Sequence, residues 1–246
     1  MVENGPTFSN MVLGANGSPH KVELMVPLAF FFNRNNGLAL PLIALQYHDV
    51  RLEFDFADVN TVAVNGGSFQ SNPSNLQMSE TELLVRYIYL DSEERKRFAQ
   101  ASHEYLIEQL QFTGAETIVP SSSSNSVSNH NIRLNFNHPV KQLVWAIDQT
   151  SAATAHTTAT KFVNFTNNNV FSGTNPSGNP VNSAIVQLNG HDRFDEQSGM
   201  YFNHLQPYLH HTASPSAGIN VYSFALHPEE HQPSGTCNFS RIDNAT

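Results

Sequence analysis

The sequence predicts an all-β protein of the sandwich or jelly-roll type. Short segments rich in β-branched and aromatic residues recur along 246 residues. Turn and loop chemistry separates them, and only one segment reads securely as a helix. No strand–helix–strand rhythm and no short fixed repeat competes with this reading.

The segments follow in order. Residues 21–32 are aromatic and β-branched with Pro27 among them, which predicts a strand at an edge or a bulge. The run Asn33-Arg34-Asn35-Asn36-Gly37 is turn chemistry. An apolar run, 38–45, follows and is broken by Pro41. Val50, Leu52, Phe54 and Phe56 then alternate with Arg51, Glu53 and Asp55, the period of a half-buried strand. Residues 57–75 change character: Asn65-Gly66-Gly67-Ser68 and Ser71-Asn72-Pro73-Ser74 have turn or linker composition and place a domain boundary there.

Residues 83–90 carry apolar groups on both faces, as in a strand covered on both sides. Asp91 or Ser92 is expected to cap a short helix ending near Ala101, with Glu93 and Glu94 well placed at its N-terminus. Residues 104–112 fit a helix through Tyr105, Leu106, Gln109 and Leu110, and a strand through Leu106, Glu108, Leu110 and Phe112; the strand is preferred. A polar loop at 121–128 precedes a strand on Ile132, Leu134 and Phe136, which His138-Pro139 ends. Residues 140–147, with Trp145, form the next strand. Residues 148–180 are too long for an ordinary connection and are expected as an exposed loop tolerant of variation. Further strands are expected at 184–188, 219–226 and 236–242, with a short helix at 194–199.

Composition narrows the function. Charged residues are 13% of the chain, against about 25% in an average domain. Asn, Ser, Thr, Gln and His replace them, and such a surface is less repelled by copies of itself. The net charge is -9, and no basic stripe offers a nucleic-acid footprint. Arg95-Lys96-Arg97 follows Glu93-Glu94 and reads as a charge-paired helix face. A lone cysteine, Cys237, forms no internal disulfide and is expected as a small buried side chain. The start shows neither a basic nor an apolar leader region, and the longest apolar stretch, 24–32, falls far short of the roughly 20 residues that span a bilayer. A soluble protein of a reducing compartment is expected.

Chemistry-bearing motifs are few. His227-Pro228-Glu229-Glu230-His231 has the H-x-x-E-H spacing of a class of zinc peptidases. That chemistry needs His227 and His231 one turn apart on one helical face, with a glutamate base, Glu230, beside them. Pro228, Pro233 and the strand-like residues before the motif predict a loop instead. His204, His210 and His211 lie near Asp192, Asp195 and Glu196 in sequence, but twelve histidines in a polar chain cluster by chance. Asp192 and Asp195 could equally pair with Arg193 or cap the helix at 194–199. Nucleophile-elbow and phosphate-loop signatures are absent. Sequons at Asn16, Asn164, Asn238 and Asn244 are expected by chance in an Asn-rich chain. No catalytic, cofactor-binding or metal residue is assigned, and no cofactor is expected.

Three blocks are more specific. The first runs from Val26-Pro27-Leu28-Ala29-Phe30-Phe31-Phe32-Asn33-Arg34-Asn35 through Gly37 to Val50. The second is Tyr87-Ile88-Tyr89-Leu90-Asp91, with Glu94-Arg95 and 103–109. The third comprises Asn189-Gly190-His191-Asp192-Arg193-Phe194, Tyr201-Phe202, Gln206-Pro207-Tyr208, 218–226 and 233–244. In this order they resemble the major capsid proteins of nucleocytoplasmic large DNA viruses, in the algal-virus and mimivirus-like branches. The resemblance implies a viral double jelly roll and a structural, non-enzymatic role. Homotrimers would form pseudo-hexagonal capsomers in an icosahedral shell, with neighbouring capsomers and minor capsid proteins as partners. Direct nucleic-acid contact and a transmembrane segment are not implied; proximity to an internal viral membrane is. Localisation would be the virion, assembled in the infected host cell, in its cytoplasm. Family members are much longer, so this chain is expected as a fragment. Residues 1–57 would close a truncated first jelly roll, 58–76 link, and 77–246 form most of the second without its last strands. Such open sandwiches are expected to fold poorly alone. The competing reading is a jelly-roll carbohydrate-binding module, which needs an exposed aromatic platform.

Overall fold

Strand pairing between distant segments organises the C-terminal half of the chain. The computed structural model describes residues 25–56, 64–65, 68–69, 81–118, 129–147, 165–166 and 178–246. The expected loop at 121–128, nearly all of the one at 148–180, and the sequons at Asn16 and Asn164 lie outside them. Two compact units result, one ending at Leu110 and one over Gln111–Thr246.

In the first unit, a single helical turn, α1 (Phe31–Arg34), begins within the residues expected as a strand, and a 3-10 turn (Asn36–Leu38) falls largely on the turn expected at 33–37. Local hydrogen bonds explain the difference. Asn33 donates its side-chain amide to Leu28 O, and Asn35 Oδ1 accepts from Gly37 N at 2.9 Å. Beyond Pro41 the chain continues in turns, with Ala44 N and Leu45 N donating to Pro41 O. Two short strands, β1 (Val64–Asn65) and β2 (Ser68–Phe69), pair antiparallel. The expected helix is present as α2 (Ser92–Gln100), capped by Asp91, whose carboxylate accepts from Glu94 N at 2.8 Å.

The strands expected at 50–56, 83–90 and 104–112 are not formed. The alternation is in the sequence, but a strand is defined by a ladder partner, and none pairs with these segments among the described residues. Their apolar side chains are exposed: Phe54, Phe56, Leu84, Tyr87 and Leu110 all face solvent, Leu110 to 94%. Tyr105 nevertheless donates its hydroxyl to Ala39 O at 3.1 Å, tying two of the unit's segments together.

The second unit contains β3 (Pro139–Val140), β4 (Gln142–Ala146), β5 (Ser183–Ala184), β6 (Gln187–Leu188), β7 (His191–Asp192) and β8 (Gln197–Ser198). A π-helical turn (Tyr201–Leu205) runs into α3 (Gln206–His210), and β9 (Ile219–Ser223) and β10 (Cys237–Asn238) follow. All pairs are antiparallel: β10 with β3, β4 with β9, β5 with β8 and β6 with β7. The longest ladder, β4–β9, sets Leu143 opposite Tyr222 and Trp145 opposite Asn220. The expected strand at 184–188 is divided between β5 and β6, which take different partners. Asn189 (φ 53°) and Gly190 (φ 80°) close the β6–β7 hairpin in the left-handed region that a tight two-residue turn requires.

Three other expectations change. Leu134 and Phe136 pack on the core as their alternation implies, but the segment forms no regular strand; Leu134 N bonds Ala245 O at 2.8 Å. The strand expected at 236–242 stops after β10 because Asn238 Oδ1 accepts from Ser240 N and curls Phe239–Arg241 into a 3-10 turn. Residues 194–199 carry β8 instead of a helix. A helical run over 201–210, absent from the expected elements, packs against β9.

The core is an aromatic chain over Leu143, Val186, Phe239 and Ala245. Trp145 meets Phe202 edge-on at 5.1 Å; Phe194 joins Phe202 (5.7 Å) to Tyr222 (4.7 Å). Phe224 links Tyr222 (5.1 Å) to Phe239 (5.9 Å). Such pairs contribute about 0.5–1.5 kcal/mol each beyond area burial. A polar knot lies beside this chain. Asn179 Nδ2 donates to Asn220 Oδ1 (2.6 Å) and to Gly199 O (3.0 Å). Asn203 Nδ2 donates to Ile219 O (2.7 Å) and Ser216 O (3.3 Å). All three asparagines are almost wholly buried.

Two expectations for stability follow from these contacts. A Cβ on Gly218 (φ +90°) would sit 2.2 Å from Phe165 O, whereas one on Gly190 would meet open space. Gly218→Ala is therefore expected to cost about 2–4 kcal/mol and Gly190→Ala only about 1–2 kcal/mol, as read by denaturant unfolding of both variants. Equal costs would refute the close-approach argument. Asn203→Leu is expected to destabilise by about 2–3 kcal/mol, because two carbonyls lose their donor in a dry site. A neutral result in the same measurement would show that those carbonyls find other partners.

Candidate functional site

The segment 199–210 reads Gly-Met-Tyr-Phe-Asn-His-Leu-Gln-Pro-Tyr-Leu-His and has no charged residue apart from its histidines. One face is buried. Phe202 enters the aromatic chain, Asn203 caps the carbonyls of Ser216 and Ile219, and Gln206 bridges Tyr201 Oη and Ser223 N. Pro207 lies just past the junction of the π-helical turn and α3, where its missing N–H interrupts the run's hydrogen bonding. Gly199 starts the run because a Cβ there would lie 2.0 Å from Val181 O.

The opposite face is open. Met200, Leu205, Tyr208 and Leu209 are exposed, Tyr208 to 80%, and Leu226 on the following loop is exposed as well. Residues 200, 204–205 and 208–209 recur at helical spacing, but Asn203 and Gln206 on the buried side mask the pattern in hydrophobicity.

The end of α3 carries the histidines. His210 Nδ1–H donates to Leu226 O at 3.0 Å, and His211 Nε2–H donates to Gln142 Oε1 at 2.6 Å. Glu229 Oε2 accepts from Thr212 N (2.9 Å) and Thr212 Oγ1 (2.7 Å). Burial pushes the Glu229 carboxyl up, but the two Thr212 donors and His211 outweigh it and hold it below the usual carboxylate range.

The H-x-x-E-H motif forms a turn, as its prolines imply. Glu230 N donates to His227 O (3.3 Å), and Ser234 Oγ accepts from His227 N (2.8 Å). Lys141 Nζ reaches Glu230 O at 2.9 Å. The other carboxylates lie elsewhere: Asp192 Oδ1 accepts from Gln187, and Glu196 accepts from the Ser183 hydroxyl. No group of three His, Cys, Asp or Glu side chains suited to a metal occurs among the described residues. Cys237 is half-buried against the core, and burial raises its thiol pKa, with Arg193 opposing. Trp145 is half-buried on Phe202, not set out as a platform. Among the described residues, no helix is long and apolar enough to cross a membrane.

Comparison with known proteins matches these features to one family. The family described as "Large eukaryotic DNA virus major capsid protein" matches residues 94–246, and "Major capsid protein N-terminus" matches residues 7–91. The chain is 43% identical to the major capsid protein of Pyramimonas orientalis virus, over 100% of this chain and 58% of that protein. It is 48% identical to that of Paramecium bursaria Chlorella virus 1, over 90% of this chain and 53% of that one. A solved structure described as a quasi-atomic model of the PBCV-1 virus capsid aligns with TM-score 0.64 at 39% identity, covering 89% of this chain and 55% of its own. The chain thus spans between half and two thirds of the length of the curated relatives it matches. Its fold class is all-β, the viral double jelly roll, present in part. The chain belongs to the large eukaryotic DNA virus major capsid protein family.

Proposed function

We propose that the chain is a shell subunit of a large DNA virus, a structural component of the virion with no catalytic turnover. The family match over residues 94–246 carries this reading. Three copies associate as a homotrimer, a pseudo-hexagonal capsomer that meets neighbouring capsomers and minor capsid proteins. Assembly takes place in the cytoplasm of the infected host cell, near an internal viral membrane and without direct contact to the genome. The net charge of -9 supports the last point, since a phosphate backbone would be repelled. Residues 1–57 serve as the closing strands of the first jelly roll, 58–76 as the linker and 77–246 as the second jelly roll without its last strands. Family matches to residues 7–91 and 94–246 support a two-part organisation.

The uncharged face of Met200, Leu205, Tyr208 and Leu209 is one of the surfaces through which copies meet. Exposed apolar side chains grouped on one helix are costly in a lone molecule and favourable once covered. Aromatic anchors such as Tyr208 are where binding energy concentrates.

Light scattering on the complete open reading frame tests the assembly. A mass three times that of one chain is expected, and a monomer at all concentrations would count against it. Tyr208→Asp with Leu209→Asp is expected to weaken self-association by about 30-fold or more while leaving the fold unchanged. Undiminished trimers in that variant would remove this face from the contact.

A further inference from the structure

Five Asn-Gly pairs occur in the sequence, and two of them, Asn36-Gly37 and Asn189-Gly190, lie wholly among the described residues. Glycine has no side chain to shield its nitrogen. Such a pair can therefore close on itself, the glycine nitrogen attacking the asparagine carboxamide. At 36–37 the restraint is local: Gly37 N–H donates to Asn35 Oδ1 at 2.9 Å. At 189–190 it comes from residues 54 and 55 positions further along the chain.

Asn189 and Gly190 are the two central residues of the β6–β7 turn. Both are exposed, and a Cβ on Gly190 would meet open space. Water and base reach the pair, so access is not what limits the reaction. Geometry is. The five-membered ring needs Asn189 Cβ and Gly190 N on the same side of the Cα–C bond. With φ of 53° and 80° the turn is the mirror image of type I. The first central residue of such a turn has ψ near about 30°, and there the two atoms lie on opposite sides. The carboxamide is held as well. Asp243 N and Asn244 N both donate to Asn189 Oδ1, at 2.9 and 3.2 Å, and Asn189 N donates to Asn244 O at 2.7 Å. Residues 242–246 are themselves docked. Gln187 and Thr246 exchange both backbone bonds (2.8 and 3.0 Å), Leu134 N donates to Ala245 O at 2.8 Å, and Ala245 is buried.

We propose that Asn189-Gly190 is a self-modification site, closed while residues 242–246 are docked and converted to aspartate or isoaspartate once they leave. Its only co-reactant is water. Gly190 N passes its proton to solvent base and bonds to Asn189 Cγ. Nδ2 takes a proton and departs as ammonia, leaving a cyclic imide. Water then adds to one of the two imide carbonyls. Opening at Cγ gives aspartate; opening at the main-chain carbonyl gives isoaspartate, whose chain runs through Cβ and Cγ. Nothing is oxidised or reduced. Isoaspartate lengthens the main chain by one atom inside a turn with only two central residues, so 242–246 lose both the turn and the carboxamide that held them. The change is one-way, which makes the pair a record of undocking. The two N–H donors would also stabilise negative charge on Oδ1 during attack, so their restraint acts through position and not through electronics. The inference concerns contacts within one unit and does not depend on the assembly reading.

The test uses the complete open reading frame, incubated at mildly alkaline pH in native buffer and in concentrated urea, with peptide mapping by mass spectrometry. Isoaspartate is told from aspartate by enzymatic methylation of its carboxylate. Conversion at Asn189 is expected to be at least about tenfold slower in native buffer than in urea. Asp243→Pro deletes one donor to Oδ1, and the extended backbone of Ile242 (φ -108°, ψ 116°) accepts a proline after it. That variant is expected to convert at least about threefold faster than the parent in native buffer, and at the parent's rate in urea. Where Asp243→Pro does not fold, a urea series below the unfolding midpoint of the parent decides. Conversion is then expected to rise in step with hydrogen exchange of the Asp243 and Asn244 amides. A native rate within about twofold of the rate in urea overturns the proposal. So does a folded Asp243→Pro that keeps the parent's rate, or conversion that does not follow those two amides.

Discussion

The β4–β9 ladder is the constraint on which the second unit depends. Five residue pairs register two segments that lie far apart in sequence, and the aromatic chain and the polar knot are both built on that register. It puts Leu143 and Tyr222 side by side, so the aromatic chain can run from Trp145 to Phe239. It also places Asn220, a residue that disfavours strands, wholly inside the protein. A buried amide is costly unless its groups are paired. Asn220 is tolerated because Asn179 and the Gly218 carbonyl supply partners. A one-residue slip of the ladder would send Asn220 to the other face and strand those partners. The polar knot thus discriminates between registers in a way that apolar side chains alone would not.

The helical run over 201–210 inherits its position from the same ladder. Asn203 and Gln206 hold groups on or beside β9, so the run cannot slide along the strand without breaking both. Fixing one face leaves the other displayed at a defined place. A rigid, uncharged and partly aromatic face is suited to repeated contacts with identical copies, because each copy presents it in the same geometry. This is also why the charge-poor composition has a physical use. With -9 net charge spread over 246 residues, copies repel at long range, and contact is favoured only where charge is absent.

Sequence legibility differed between the two units for one reason. Helix α2 was legible because its determinants are local: Asp91 caps Glu94 N, and Glu93 and Glu94 favour the first turn. The strand at 140–147 was legible because alternation and a partner coincide. At 50–56 alternation is equally clear and 83–90 is apolar on both faces, yet partner strands are absent among the described residues, and the apolar side chains stay open. Periodicity reports which face a segment would bury; it says nothing of whether a neighbour is there to bury it. At 25–32 no strand forms either. The turn expected at 33–37 starts two residues earlier, in α1, where Asn33 and Asn35 bind nearby backbone. For the site, the H-x-x-E-H turn was legible from its prolines. The open face of 200–209 was not, because a run with buried Asn and Gln does not look amphipathic by hydrophobicity alone.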